Sequence, residues 1–237
     1  MTSLTADPDR PALLPGEAVE NYTKAIHALQ LRGAGPVTTN ALAQRLGITA
    51  SSVSAMFKKL DRLGLVERAP YQGVRLTAQG ERIALAVIRK HRLLETFLVE
   101  QLGVSWDRVH REAEVLEHYV SDQLAARMAE KLDHPEHDPH GDPIPGSAGA
   151  IDDEKTARLG ELQPGARGTF VRVSDAEPAM LRHLGALGIA PGAPLEVLGR
   201  EPFGGPTVIR IDGTEHALGL LLADAMRIRL ASDRPEP

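Results

Sequence analysis

The sequence predicts a mainly α protein with a small β part. The order is an N-terminal winged helix-turn-helix, an all-α segment and a small C-terminal β-barrel. Three observations predict it. Residues 17–132 carry apolar side chains at helical spacing, interrupted by Gly and Pro. Within them, "TTNALAQRLGITASSVSAMFKKLDRLGLV" holds two short helical patterns meeting at Gly47, followed by short alternating runs. From Gly160 onward the texture changes to short β-rich runs separated by Gly and Pro.

Each element has a local cause. Val19, Tyr22, Ile26 and Leu29 give a helix over Glu17–Leu31, ended by "RGAGPV". Thr38 or Thr39 caps a short helix through Leu46, which Gly47 stops; a second runs from about Ala50 to Leu63 and stops at Gly64. "LVERAPYQGVRLTAQG" alternates Val66, Val74 and Leu76 around "PYQG", the pattern of a two-stranded wing. Thr77 caps a long helix to about Leu102, and Trp106–Leu132 reads as one further helix. "DHPEHDPHGDPIPGSAGAIDD" reads as linker. "GTFVRV", "PLEVLGR", "TVIRIDG" and "AMRIRL" read as strands, with a helix across "AEPAMLRHLGALG". The expected domains are a disordered leader at 1–15, the winged helix at 16–80, a helical domain at 81–145, a linker at 146–159 and the barrel at 160–232.

Composition narrows the chemistry. The 237 residues contain no cysteine, which excludes disulfides, thiolate metal sites and thiol nucleophiles. The opening "MTSLTADPDRPALLPG" lacks an apolar signal core and no later run is long enough to span a bilayer, so a cytoplasmic protein is expected. Net charge is −5, yet residues 16–92 hold twelve Lys and Arg against five Asp and Glu. A basic N-terminal block on an acidic body is the asymmetry of a protein with one DNA-facing module.

In a helix-turn-helix the second helix enters the major groove by its N-terminal end. Here that end is "TASSVSAMFKK". Thr49, Ser51, Ser52 and Ser54 can donate to phosphates or base edges, and Lys58 and Lys59 suit phosphates. Arg75, flanked on the wing by Tyr71 and Gln72, can reach the DNA backbone or minor groove. Val53, Phe57 and Leu60 sit at core spacing.

"HREAEVLEH", residues 110–118, is the stretch richest in metal-ligand chemistry. With His110 at zero on a helical wheel, Glu114 falls at roughly 40°, Glu117 at roughly −20° and His118 at roughly 80°. This stripe borders the core stripe of Val109, Ala113, Leu116 and Val120. Unpaired carboxylates held there are costly, whereas carboxylates around a divalent cation are not. His91 and Glu95 share a face of the preceding helix at i and i+4, so two antiparallel helices bring them beside His110. A solvated charged face paired with Arg108, Arg111 and Arg127 explains the same spacing, and spacing alone leaves both readings open. There is no HExxH to support a zinc hydrolase.

The order of winged helix, "RKHRLLETFL", "VHREAEVLEHYVSDQL", "HPEHDPHGDPIP" and β-rich end resembles the diphtheria toxin repressor family of metal-dependent transcriptional regulators, from Glu17 to Leu230. The resemblance implies an all-α dimerisation domain and an SH3-like (FeoA-like) C-terminal barrel. It also implies a primary regulatory metal site of Glu114, Glu117, His118 and Asn21. An ancillary site would be made by His91, Glu95, His110 and Glu177, the last from the barrel. The family's second, amide-bearing barrel ligand is replaced by Met180, a base-reading glutamine by Ala55, and the second glutamate of some manganese members by Lys24. It gives "HPEHDPH" no ligand role, and His183 and His216 are expected on the surface.

Carboxylate and amide oxygens beside imidazole nitrogens make hard sites, which predicts Mn(II) as effector with Fe(II) second. The function implied is a homodimeric, metal-activated repressor that binds a double-stranded DNA operator of metal-uptake genes. Two other classes compete: a winged-helix regulator answering a small organic ligand, and a metalloenzyme. The sequence offers the latter no positioned general base, and no enzyme activity is expected.

Overall fold

The computed structural model describes residues 16–33, 35–69, 72–147, 149 and 155–231. The expected leader at 1–15, Tyr71, and residues 148 and 150–154 of the expected linker lie outside the described residues. The chain forms two compact units, one up to Val87 and one from Ile88 onward.

In the first unit α1 spans Glu17–Arg32, α2 Thr39–Leu46 and α3 Ala50–Arg62. Thr38 caps α2 by accepting from Ala41 N, and Gly47 ends it in the left-handed region at φ 65°. Thr49 caps α3 in the same way, accepting from Ser52 N. These caps satisfy backbone donors that each helix start leaves without an intrahelical acceptor. Strands β1 (Val66–Ala69) and β2 (Gly73–Leu76) pair antiparallel with Val66 opposite Leu76. Val37, just before α2, bridges to Val74 of β2. Gly73 is required there. Its φ is 118°, and a Cβ on it would fall 2.1 Å from the Val37 carbonyl oxygen. Val19, Ile26, Leu42, Val53, Phe57, Leu60, Val66 and Val74 form one dry core. α4 (Ala78–Leu102) begins in this unit, with Thr77 Oγ1 accepting from Gly80 N at 3.1 Å, and continues into the next.

The second unit departs from expectation in three places. The single helix expected over Trp106–Leu132 is two: α5 (Val109–Leu116) and α6 (Asp122–Lys131). The break has a local cause, because Ser121 takes an extended conformation and caps α6 by accepting from Leu124 N. The stretch expected to be linker is packed as far as Pro145. Asp138 Oδ1 accepts from the backbone N–H of His140 and of Asp142, Arg89 donates to the Pro145 carbonyl, and Ile144 joins the helical core. That core also contains Leu93, Leu94, Ala113, Val120, Ala125 and Ala129.

The third departure is the barrel. Strands β3 (Ala157–Arg158), β4 (Arg167–Val173), β5 (Pro194–Arg200), β6 (Thr207–Ile211), β7 (Thr214–Leu218) and β8 (Met226–Leu230) form one antiparallel sheet. Its order is β3-β8-β4-β5-β6-β7. The edge strands β3 and β7 do not pair, so the sheet is open rather than closed. β3 is only two residues long, and β7 pairs with β6 alone. Two bulges bend it, at Phe170/Arg172 and Val197/Gly199. Helices α7 (Pro178–Ala186) and α8 (Leu220–Ala225) supply Leu181, Leu184 and Leu222 to a core with Phe170, Ile209, Leu218 and Ile228. Trp106, from the turn before α5, packs against this core.

No helix is long and apolar enough to cross a membrane among the described residues.

Candidate metal centre

Two successive helices and one loop of the sheet segment bring the donors together. α4 sets His91 and Glu95 one turn apart on one face, and α5 does the same for His110 and Glu114. Glu117 follows at the C-cap of α5, where the chain is about to leave the helix. His91 is the hub. Its Nε2 lies 3.0 Å from Glu95 Oε1 and 3.1 Å from His110 Nδ1, while its Nδ1 lies 2.5 Å from Glu117 Oε2. His110 Nδ1 is also 3.2 Å from Glu95 Oε1 and 2.8 Å from Asp175 Oδ2. Farther out, His110 Nε2 is 3.7 Å from Glu114 Oε1 and His118 Nε2 is 3.6 Å from Glu117 Oε1.

Two donor sets meet at His91, each with ligand atoms within 4.8 Å of one another: His91, Glu95, His110 and Asp175, and His91, Glu114 and Glu117. Glu95 and Glu117 are each 1% exposed. Two carboxylates sealed from water need strong compensation. Burial works to raise the Glu95 pKa, but hydrogen bonds from His110 and His91 overcome it and hold the carboxyl well below the usual range. The bond to Asp175, then that to Glu95, pushes His110 up to about 10. Asp175 is depressed: burial opposes this and the His110 bond wins. Imidazolium on His110 thus offsets Asp175 and Glu95. The same arrangement fits a divalent cation, because imidazole nitrogens and carboxylate oxygens converge and no sulfur is present.

The sequence-predicted residues fare differently. His91, Glu95 and His110 come together as expected from their helix faces. Glu114 and Glu117 group with His91 rather than with His118 alone. His118 is held against Glu117, its side chain 6% exposed. Asn21 is half-buried on α1 in the first unit. Glu177 is not in the cluster. It stands exposed at the N-cap of α7, its carboxylate accepting from Ala179 N at 3.4 Å, and the carboxylate that faces His110 is that of Asp175. A signal for this was present: Pro178 follows Glu177, and Pro at the first helical position marks the preceding residue as the cap. Met180 packs against the sheet core, His183 is exposed and His216 half-buried.

Sequence reasoning also missed His140 and Asp138. Both are buried, within the loop read as linker. Arg92 lies 3.8 Å from Asp138 Oδ2 and 3.4 Å from Asp142 Oδ1, and Arg172 lies 3.5 Å from Asp142. Burial first, then neighbouring carboxylates, raises Asp138 well above the usual value; burial raises Asp142 against the pull of both arginines.

On the first unit, α3 presents Ser51, Ser52, Ser54, Lys58 and Lys59 to solvent, and Arg75 is exposed on β2. The Thr49 hydroxyl is committed to the cap and lies 2.9 Å from the hydroxyls of both Ser51 and Ser52. A groove lined by Thr38, Asn40, Ser54, Lys58 and Gln72 runs beside them.

A winged helix with a polar, basic recognition helix, in one chain with buried His–carboxylate donor sets, defines a metal-responsive DNA-binding regulator. Known proteins agree. The iron dependent repressor N-terminal DNA binding domain matches residues 16–74, the iron dependent repressor metal binding and dimerisation domain matches 77–146, and the FeoA domain matches 157–230. The iron-dependent repressor IdeR of Mycobacterium tuberculosis is 33% identical over 213 residues, covering 84% of this chain and 91% of its own. The diphtheria toxin repressor of Corynebacterium efficiens is 36% identical over 132 residues, 56% of this chain and 57% of its own. A solved manganese-dependent transcriptional repressor in complex with manganese superposes with TM-score 0.82 at 44% identity, covering 90% of this chain and all of that one. The manganese regulator SloR superposes with TM-score 0.71 at 31% identity, covering 92% and 99%. The chain belongs to the diphtheria toxin repressor family. It is a metal-dependent, DNA-binding transcriptional repressor, and the family is one of regulators, not enzymes.

Proposed function

We propose that this repressor answers Mn(II), with Fe(II) as the second effector, and acts on a metal-uptake promoter. The observation that carries it is the sharing of His91 between two sulfur-free donor sets. His91, Glu95, His110 and Asp175 would hold one ion. Glu114 and Glu117, with His118 beside them, would hold the regulatory one. Asp175 would take the place that the family resemblance gave to Glu177. A bound cation supplies charge that neutralises the buried carboxylates without a proton on imidazole. Oxygen-rich sites of this kind suit Mn(II), which sits at the weak end of the divalent series and is selected by coordination and availability rather than affinity. The similarity to a manganese-dependent repressor in complex with manganese supports the same choice, while the iron-dependent relatives keep Fe(II) in second place.

The protein acts as a homodimer in this reading. Val115, Leu116, Tyr119 and Leu124 on and around α5 and α6 are exposed, Tyr119 at 77%, an apolar patch that a second copy would cover. Two winged helices then read half-sites about one helical turn apart. Ser51, Ser52, Ser54, Lys58, Lys59 and Arg75 carry the DNA contact, with Thr49 shaping the helix start.

Operator selection from random duplexes, followed by gel shift, tests the proposal. Binding should appear with Mn(II), follow with Fe(II) under anaerobic conditions and vanish on chelation. Equal binding in chelator, or activation by Zn(II) without any by Mn(II), would overturn it.

A further inference from the structure

His140 is completely buried, and one of its ring nitrogens has nothing to bond to. Its Nε2 lies 2.7 Å from the Trp106 carbonyl oxygen. A carbonyl can only accept, so Nε2 carries the hydrogen and donates it. In the neutral ring Nδ1 is then a bare lone pair. It is an orphaned buried acceptor, and such groups are rare and costly. It lies 3.9 Å from Glu95 Oε2, too far for a hydrogen bond. Two donors each about 2.1 Å from one cation lie at most about 4.2 Å apart, so the separation is one that a shared ion permits.

The surroundings are built rather than incidental. The imidazole stacks on Trp106, with ring centroids 6.0 Å apart and planes 17° from parallel. The His140 backbone carbonyl accepts from Val173 N at 2.9 Å, and Asp138 Oδ1 accepts from His140 N at 2.8 Å. Asp138 is itself buried and adds a carboxylate to the same point. One donor atom each from Glu95, Asp138 and His140 lies within 4.8 Å of the others. Glu95 is divided between two neighbourhoods. Its Oε1 faces His91 and His110, and its Oε2 faces His140.

We propose that Glu95, Asp138 and His140 form a further divalent-cation position, adjoining the His91–Glu95–His110–Asp175 set and sharing Glu95 with it as a bridging carboxylate. The inference rests on the metal-binding reading above. It adds to it a third ion and a role for the "DPH" loop. One nitrogen and two carboxylates leave coordination places for water, a donor set that accepts Mn(II), Fe(II) or Zn(II). The Trp106 carbonyl then plays the outer-sphere part that ligating histidines usually require, fixing the tautomer.

Crystals of the full chain soaked in Mn(II) alone, with anomalous scattering recorded at the manganese edge, test the position directly. The expected result is a peak within bonding distance of His140 Nδ1 and Glu95 Oε2, separate from the peak beside His110. Equilibrium dialysis with elemental analysis should show that His140→Phe, which keeps the ring and removes the nitrogens, binds one cation fewer per chain. Asp138→Asn keeps the oxygen that accepts from the loop backbone and should weaken the same ion, which covers the case of a poorly folding His140 variant. Nitrogen-15 NMR of the manganese-free, Zn(II)-saturated protein should show His140 Nδ1 unprotonated. A peak beside His110 with none at His140, or a protonated Nδ1 at saturation, would sink this position while leaving the sensor reading intact. No peak at either place would sink both.

Discussion

The two units place their functional polar residues differently. In the first, Val53, Phe57 and Leu60 of α3 point into a dry core while Ser51, Ser52, Ser54, Lys58 and Lys59 stay in solvent. In the second, Glu95, Glu117, His91, Asp138 and His140 are all buried. The first unit keeps its candidate DNA-facing side chains outside its apolar core, and buries only Glu20, Thr23 and His27 among its described polar residues. The interior of the second carries acids offset by imidazolium and by Arg92, and so is sensitive to any cation offered to it. A sensor uses that asymmetry, with a reader whose polar face stays in solvent and an electrostatically responsive body.

Four experiments sharpen the contrast, in order of expected effect. His91→Ala removes the residue common to both donor sets. Metal affinity should fall by more than the ~10–100-fold typical of losing an outer-sphere partner, and metal-dependent gel shift should be lost. By contrast, Phe57→Ala should cost about 3–5 kcal/mol of folding stability in urea titration and leave cation binding to the second unit in place. If it abolishes cation binding under folded conditions, the two units are not distinct in the way described.

Next, Asp175→Ala removes a proposed ligand of one set and should weaken cation binding by at least ~10-fold, whereas Glu177→Ala should cost only about 1 kcal/mol through its cap and leave binding unchanged. Calorimetric titration of both variants settles which carboxylate matters. The reverse result would return the assignment to Glu177.

The pH dependence comes third. His110 is raised to about 10, so its contribution to metal-free stability is full below its ordinary pKa of about 6.5 and is lost as pH rises through about 10. Asp138 and Asp142 are also raised, and they weaken the fold as pH rises above about 4. Glu95 and Asp175 are depressed, so their contribution is present above about 4 and lost as pH falls through their folded values. Urea unfolding in chelator should therefore show an optimum on the acid side of neutrality. Saturating Mn(II) should move it upward, because bound ligands must be deprotonated. An optimum unmoved by metal would contradict the site.

The smallest effect is expected on the reader. Lys58→Ala should weaken operator binding uniformly across sequences and reduce the salt slope by about 1, with no change in metal response.

The sequence revealed the first unit well because its signals are local: Thr38, Gly47, Thr49 and Gly64 delimit helices whose apolar spacing has one interpretation. His91, Glu95 and His110 were legible for the same reason, since i, i+4 pairs on successive helices share faces. Asp175 and His140 were not, because both owe their positions to contacts between distant segments. Loop 138–142 packs on β4, and no periodicity reports that. The Pro- and Gly-rich composition of "HPEHDPHGDPIP" looked like linker because such residues also build tight, buried loops when their backbone groups are bonded. The unbroken helix expected through residue 121 failed on one side chain, the Ser121 cap. The expected barrel is an antiparallel sheet with unjoined edges, because strand runs do not encode which edges meet.

Gly141 lies where that loop meets β4. Its φ is 86°, and a Cβ on it would fall 1.8 Å from the Val171 carbonyl oxygen. No other amino acid fits without prising the loop off the strand. The C-terminal segment is therefore not an interchangeable appendage: a chimera grafting a foreign sheet after residue 155 would have to import residues 138–142 with it. Any lineage that discarded the sheet would have to redesign the acidic loop beneath it.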